Sequence, residues 1–171
     1  DPDWSGGLVY SDKRQITVDA SKEHLYEAIQ NIGGGNGYYA ADWLWRIRGF
    51  LDKMVGGPGL RRGRRNIRNI GYGDALDFWR VLGTEPGQRL HLFAEMKLPG
   101  IATLAFDITK KSDSVGIFLV QTAKFRPLGL LGILYWYMVK PFHGFVFRGM
   151  LRGIKAEAER LSRSESSKIA V

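Results

Sequence analysis

Residues 115–161 read VGIFLVQTAKFRPLGLLGILYWYMVKPFHGFVFRGMLRGIKAEAERL, and the change of period inside this stretch decides the fold. Up to Arg126 the pattern alternates. Ile117, Leu119, Gln121, Ala123 and Phe125 share one side, with Thr122, Lys124 and Arg126 on the other. A two-residue period is that of a strand with one covered face. After Pro127 the period becomes helical, and Phe147, Leu151, Ile154, Ala158 and Leu161 fall on one stripe. Pro141 lacks an N–H and crowds the preceding turn, so it is expected to kink or divide this helix.

Working backwards, 101–110 (IATLAFDITK), 89–98 (RLHLFAEMKL) and 75–82 (ALDFWRVL) are further strands. They are separated by Lys111-Ser112-Asp113-Ser114, Pro99-Gly100 and Glu85-Pro86-Gly87-Gln88. Links this short join antiparallel neighbours. Nearer the start, 13–18 (KRQITV) reads as a short strand. Asp19 or Ser21 then caps a helix carrying Leu25, Ile29 and Ile32 and ending at Gly33–Gly35. A second helix is expected over 42–55, with Trp43, Ile47 and Leu51 on one face. The order is strand, two helices, an antiparallel meander and one long helix. A sheet with one apolar face needs a cover, and the last helix supplies it.

The chain has 171 residues, which bounds it to one domain over 1–163 with a polar tail, 164–171, expected to fray. Hydrophobic residues make up 44%, enough for a core and too many for a disordered chain. Cysteine is absent, which removes disulfides, thiolate nucleophiles and Cys-ligated metals. His24, His91 and His143 have no HxH or HExxH spacing, so no metal site is expected. The most apolar run, 128–139, has 12 residues where a membrane span needs about 20. No signal peptide is legible, and the protein is expected to be cytoplasmic, with peripheral membrane association as an alternative.

The net charge is +8, and 46–68 creates nearly all of it, with eight basic residues against Asp52. Arg61, Arg62, Arg64 and Arg65 sit in a Gly/Pro-rich loop. They read either as a site for phosphate or acidic headgroups, or as a solvated loop paired to neighbouring carboxylates. Nucleic acid is not expected, because no stacking aromatics interleave with these arginines.

The elements GGGNGYY (33–39), VGGPGLRRGRR (55–65), GDALDFWRV (73–81), AEMKLPG (94–100) and FRPLGLLGILYWYMVKPFHGFVFRGM (125–150) resemble an uncharacterised bacterial domain family. It belongs to the START/polyketide-cyclase superfamily, also known as SRPBCC or Bet v 1-like. The resemblance implies an α+β helix-grip fold: a curved antiparallel sheet of about seven strands around a long C-terminal helix, with two shorter helices after the first strand. It also implies a cavity for an apolar small molecule or lipid. Members often follow an NAD(P)-binding domain of the atypical short-chain dehydrogenase type. NAD(P) is therefore expected in such a domain of a parent protein, and no cofactor in this chain.

Within a sheet–helix cavity the candidate lining residues are Tyr39, Trp43, Asp77, Trp79, Gln121, Tyr135, Met138, His143 and Phe147. Asp77 and Gln121 are the polar groups that alternation points inward. A buried carboxylate must be paired or carry a raised pKa, so Asp77 is either a structural partner of a loop arginine or a general acid/base. His143, beside the proline, is the other acid/base candidate. Three functions compete: a non-enzymatic binding module, a substrate-binding half of an enzyme, and association of the arginine loop with anionic membranes.

Overall fold

The computed structural model describes residues 7–32, 46, 50, 53, 72–76, 79–94, 99–110 and 116–169. Among them run β1 (Tyr10–Val18), α1 (Lys22–Gln30), β2 (Ala75–Leu76), β3 (Trp79–Glu85), β4 (Arg89–Ala94), β5 (Gly100–Lys110), β6 (Ile117–Pro127) and α2 (Gly129–Ile169). The six strands form one sheet in the order β1-β6-β5-β4-β3-β2. Every neighbouring pair is antiparallel. The meander is the one the short turns predict, and the long helix folds back over it in a helix-grip arrangement.

Local chemistry sets the boundaries. Ser21 caps α1, its hydroxyl accepting from the His24 N–H at 3.2 Å. Gly87 takes φ 72° in the β3–β4 turn, where the Gln88 N–H donates to the Glu85 carbonyl at 2.9 Å. The expected single strand at 75–82 is divided into β2 and β3, and β3 carries a register shift between Val81 and Gly83. The expected helix over 42–55 lies outside the described residues except for Arg46, Phe50 and Lys53, which are helical.

One core joins the inner face of the sheet to both helices. Leu90, Leu92, Leu104, Phe106 and Leu119 from the sheet are essentially inaccessible, as are Leu25 and Ile29 of α1 and Met150 and Ile154 of α2. Each such side chain contributes about 1.5–3 kcal/mol through burial. β1 is the edge strand that lies along α2. The Tyr10 ring stacks on Trp136 at 4.9 Å, Arg14 approaches Gly144, and the Lys155 ammonium donates to the Thr17 carbonyl at 2.8 Å. These contacts advance together along both elements, so β1 and α2 run in the same direction.

Two features of α2 bear on the sequence-based expectations. Pro141 does not divide it, since helix continues on both sides. The carbonyl that proline leaves unbonded is that of Tyr137, an exposed residue, where water can take the bond. The helix also continues through Ser164–Lys168, where a frayed tail is expected. Glu165 there meets the His24 ring, Oε2 to Nε2 at 2.9 Å, so the tail is tied to α1.

α2 enters the fold at Gly132, where a Cβ would collide with the Pro99 carbonyl and with Pro127. At Gly144 a Cβ would meet only the Arg14 guanidinium, at 3.5 Å. The two glycines therefore respond oppositely to alanine. Gly132→Ala should destabilise by roughly 1–3 kcal/mol through overpacking. Gly144→Ala should be neutral or stabilising, by up to about 1 kcal/mol of helix propensity. Thermal melts of the two variants check this.

Candidate functional site

The inner faces of β3, β5 and β6 meet α2 in a cleft lined by Trp79, Ala102, Ala123, Phe125, Tyr135, Trp136, His143 and Phe147. Register explains the strand contributions. Ala102 lies opposite Phe125 and Leu104 opposite Ala123, so small residues on β5 and β6 leave room that aromatic rings fill. Phe125 stacks on Trp136 with centroids 5.9 Å apart, and Tyr135 lies 5.6 Å from Phe125. The His143 ring stands edge-on to Trp136 at 5.1 Å and lies 5.0 Å from Phe147. The imidazole is thus held by aromatic walls.

The enclosed volume is about 30 Å³, the room of one water. An open hollow is the sequence-based expectation. What the described residues enclose is smaller, because the stacked rings of Trp136 and Phe125 fill much of the gap that they line.

Further along the same inner face lies a polar string. Gln121 is 1% exposed, and among the described residues neither its amide oxygen nor its amide nitrogen has a hydrogen-bond partner. Arg14 sits opposite Gln121 across the β1–β6 ladder. Its Nη2 donates to Asp12 Oδ2 at 2.8 Å, while its buried Nε has no partner among the described residues. Burying an amide with nothing to bond costs about 1–3 kcal/mol, so natural folds rarely keep one without a use. Donor and acceptor stand ready here, with a guanidinium beside them.

The candidate residues are distributed as follows. Trp79, Tyr135, His143 and Phe147 come together in the cleft, and Gln121 lies on the same face of β6. Met138 does not belong with them: it is 62% exposed on the outer side of α2. In a helix segment apolar all round, hydrophobicity alone does not tell in from out. Tyr39, Trp43 and Asp77, and the arginines 61, 62, 64 and 65, lie outside the described residues. Asp12 and Arg14 were missed. The signal was present, since Tyr10, Asp12, Arg14, Ile16 and Val18 alternate, but two charged residues on the inward side conceal a covered face.

A second concavity, about 170 Å³, lies on the outer face of the sheet among Arg89, His91, Thr103, Asp107, Thr122 and Lys124. An Arg89–Asp107 ion pair spans it. Burial holds the His91 imidazole below its ordinary pKa, and surrounding positive charges, Arg89 and Lys124 among them, add to the effect. The folded state therefore resists a proton that the unfolded chain accepts, and stability falls as pH drops below the ordinary histidine value of about 6.5. His91→Gln should flatten this loss between about pH 6.5 and 5, above the range where carboxylates titrate. Denaturant titrations of both proteins across that interval measure it. Among the described residues, no group of three His, Asp or Glu side chains has metal-binding geometry.

Comparison with known proteins agrees with the architecture. A family model described as "Protein of unknown function (DUF2867)" matches residues 4–150. No curated protein matches by sequence. Among solved structures, the di-domain ARO/CYC protein StfQ from the steffimycin biosynthetic pathway superimposes with a TM-score of 0.53 at 16% identity, over 90% of this chain and 51% of StfQ. BexL, the di-domain ARO/CYC from the BE-7585A biosynthetic pathway, gives 0.53 at 13% identity, over 91% of this chain and 52% of its own. Truncated norcoclaurine synthase from Thalictrum flavum gives 0.52 at 8% identity, over 90% and 95%. The chain thus spans about half the length of the two di-domain proteins. At these identities the likeness is one of fold.

Proposed function

We propose that this chain, which belongs to the DUF2867 family, is a binding module for a small apolar molecule bearing one hydrogen-bonding group, held between the sheet and α2. The observation that carries the reading is the Gln121 amide, buried on the inner face of the sheet with no hydrogen-bond partner among the described residues. An apolar guest with a carbonyl or hydroxyl would satisfy it, with Arg14 Nε as a second donor. The aromatic walls would hold the rest of the guest. Neighbours of the same fold from the steffimycin and BE-7585A biosynthetic pathways are in keeping with this ligand class.

A cleft of about 30 Å³ does not admit such a guest unchanged. Binding therefore requires rearrangement. Tyr135 is the half-buried ring of the wall, whereas Trp136 is 6% exposed and stacked on both sides. Outward rotation of Tyr135 opens the cleft with the smaller loss of packing. Association is then slower than diffusion allows, because the competent state is a minor one. Binding reports through Trp136 and Trp79, which line the cleft.

The test is a fluorescence titration with a panel of fluorescent fatty acids and planar phenolic ketones. At least one should quench tryptophan emission saturably. Gln121→Leu should weaken that binding about tenfold while leaving the melting temperature unchanged or raised, since the unbonded amide is gone. A lowered melting temperature with unchanged binding would make the amide a structural group instead.

A further inference from the structure

The outward side of α2 is as apolar as its inward side. Leu130, Leu131, Leu134, Met138, Phe142 and Phe145 are each 56–84% exposed. At 100° per residue they share one face, opposite the buried Trp136, Phe147 and Met150, and the row is about 22 Å long. By length and composition α2 could cross a membrane, and 22% of its most apolar window is buried. It cannot cross while the sheet grips its inner face, because sheet edges carry backbone groups that hydrocarbon cannot satisfy. A helix in this position lies on a membrane.

Charge names the surface it fits. No acidic residue occurs between Asp113 and Glu157, whereas Lys124, Arg126, Lys140, Arg148, Arg152 and Lys155 all do. Arg148 and Arg152 continue the apolar row on the same face of α2 and are exposed. With Arg14 and Gln15 of β1 they line a groove of about 310 Å³ whose apolar floor is Ile16 and Leu151. Among the described residues no carboxylate lines it, and Asp12 engages one nitrogen of Arg14 from beside it. Three guanidiniums around an apolar floor match a phosphate attached to a greasy chain.

We propose that this face docks on an anionic phospholipid bilayer, the apolar row entering the interface and the Arg14–Arg148–Arg152 groove holding a headgroup phosphate. Arg14 is shared with the inner site, so the variants that test the docking leave it in place. The docking places the edge strand β1 and the exposed Tyr137 at the lipid surface.

Co-sedimentation of the whole chain with vesicles tests this. Vesicles of phosphatidylcholine with about one-third phosphatidylglycerol should bind at least tenfold more protein than phosphatidylcholine alone, and high salt should remove most of the difference. Two double variants separate the parts: Leu134→Gln with Phe145→Gln, and Arg148→Gln with Arg152→Gln. Each should lower partitioning about tenfold or more, and the arginine pair should also flatten the salt dependence. All four side chains are exposed, so circular dichroism should show an unchanged fold. Failure to sediment with anionic vesicles, or undiminished binding by both variants, overturns the proposal. So does complete displacement by inorganic phosphate, which would mark a free-anion site. A dimer in light scattering that the Leu134/Phe145 variant dissolves would assign the face to a second copy instead.

Discussion

The fold depends on α2 lying flat against the inner face of an antiparallel sheet. Gly132 permits the close approach at one end, where the Pro99 carbonyl leaves no room for a Cβ. From there the buried row Trp136, Phe147, Met150, Leu151, Ile154 and Ala158 seats the helix on the meander. At the far end α2 is held against α1 and the end of β1. Glu159 accepts from the Asp19 N–H at 3.2 Å, and Glu165 meets His24. Once this helix is placed, the positions of β1, of the cleft and of the outer apolar row all follow.

The interior is not optimised for stability alone. A leucine in place of Gln121 would pack without an unmet amide, and an aliphatic residue in place of Arg14 would leave no buried Nε. Both polar groups lie on neighbouring strands at one level of the sheet. Retaining them costs folding energy, and marginal proteins keep such costs where function needs them. The same logic applies outside. Six large apolar side chains in a row on water exceed the patches usual for a monomer. On the proposed readings the two faces of α2 serve different purposes, one toward a guest and one toward a surface.

Much of this was legible before any coordinates. β5 and β6 alternate cleanly, and Gln121 stands out as the polar residue on an apolar side. Turn chemistry at 85–88 fixed the hairpin, and the stripe from Phe147 onward gave the buried face of α2. The less legible parts share a physical reason. Around 130–142 hydrophobicity surrounds the helix, so Met138 and Tyr135 look equivalent until packing separates them. On β1 the charged pair Asp12–Arg14 faces inward, so the strand was read from Lys13 where it begins at Tyr10. The Ser/Glu-rich end of α2 carries no apolar period, and the contact of Glu165 with the His24 ring ties it to α1.

The most direct examination of the central claim is NMR observation of the Gln121 side-chain amide, assigned by comparison with the Gln121→Leu variant. If that amide awaits a guest, its two proton resonances should shift and gain protection from exchange when an apolar carbonyl or hydroxyl compound saturates the protein. Resonances that stay fixed against every compound in a broad apolar panel, and are already protected in the free protein, would contradict the account.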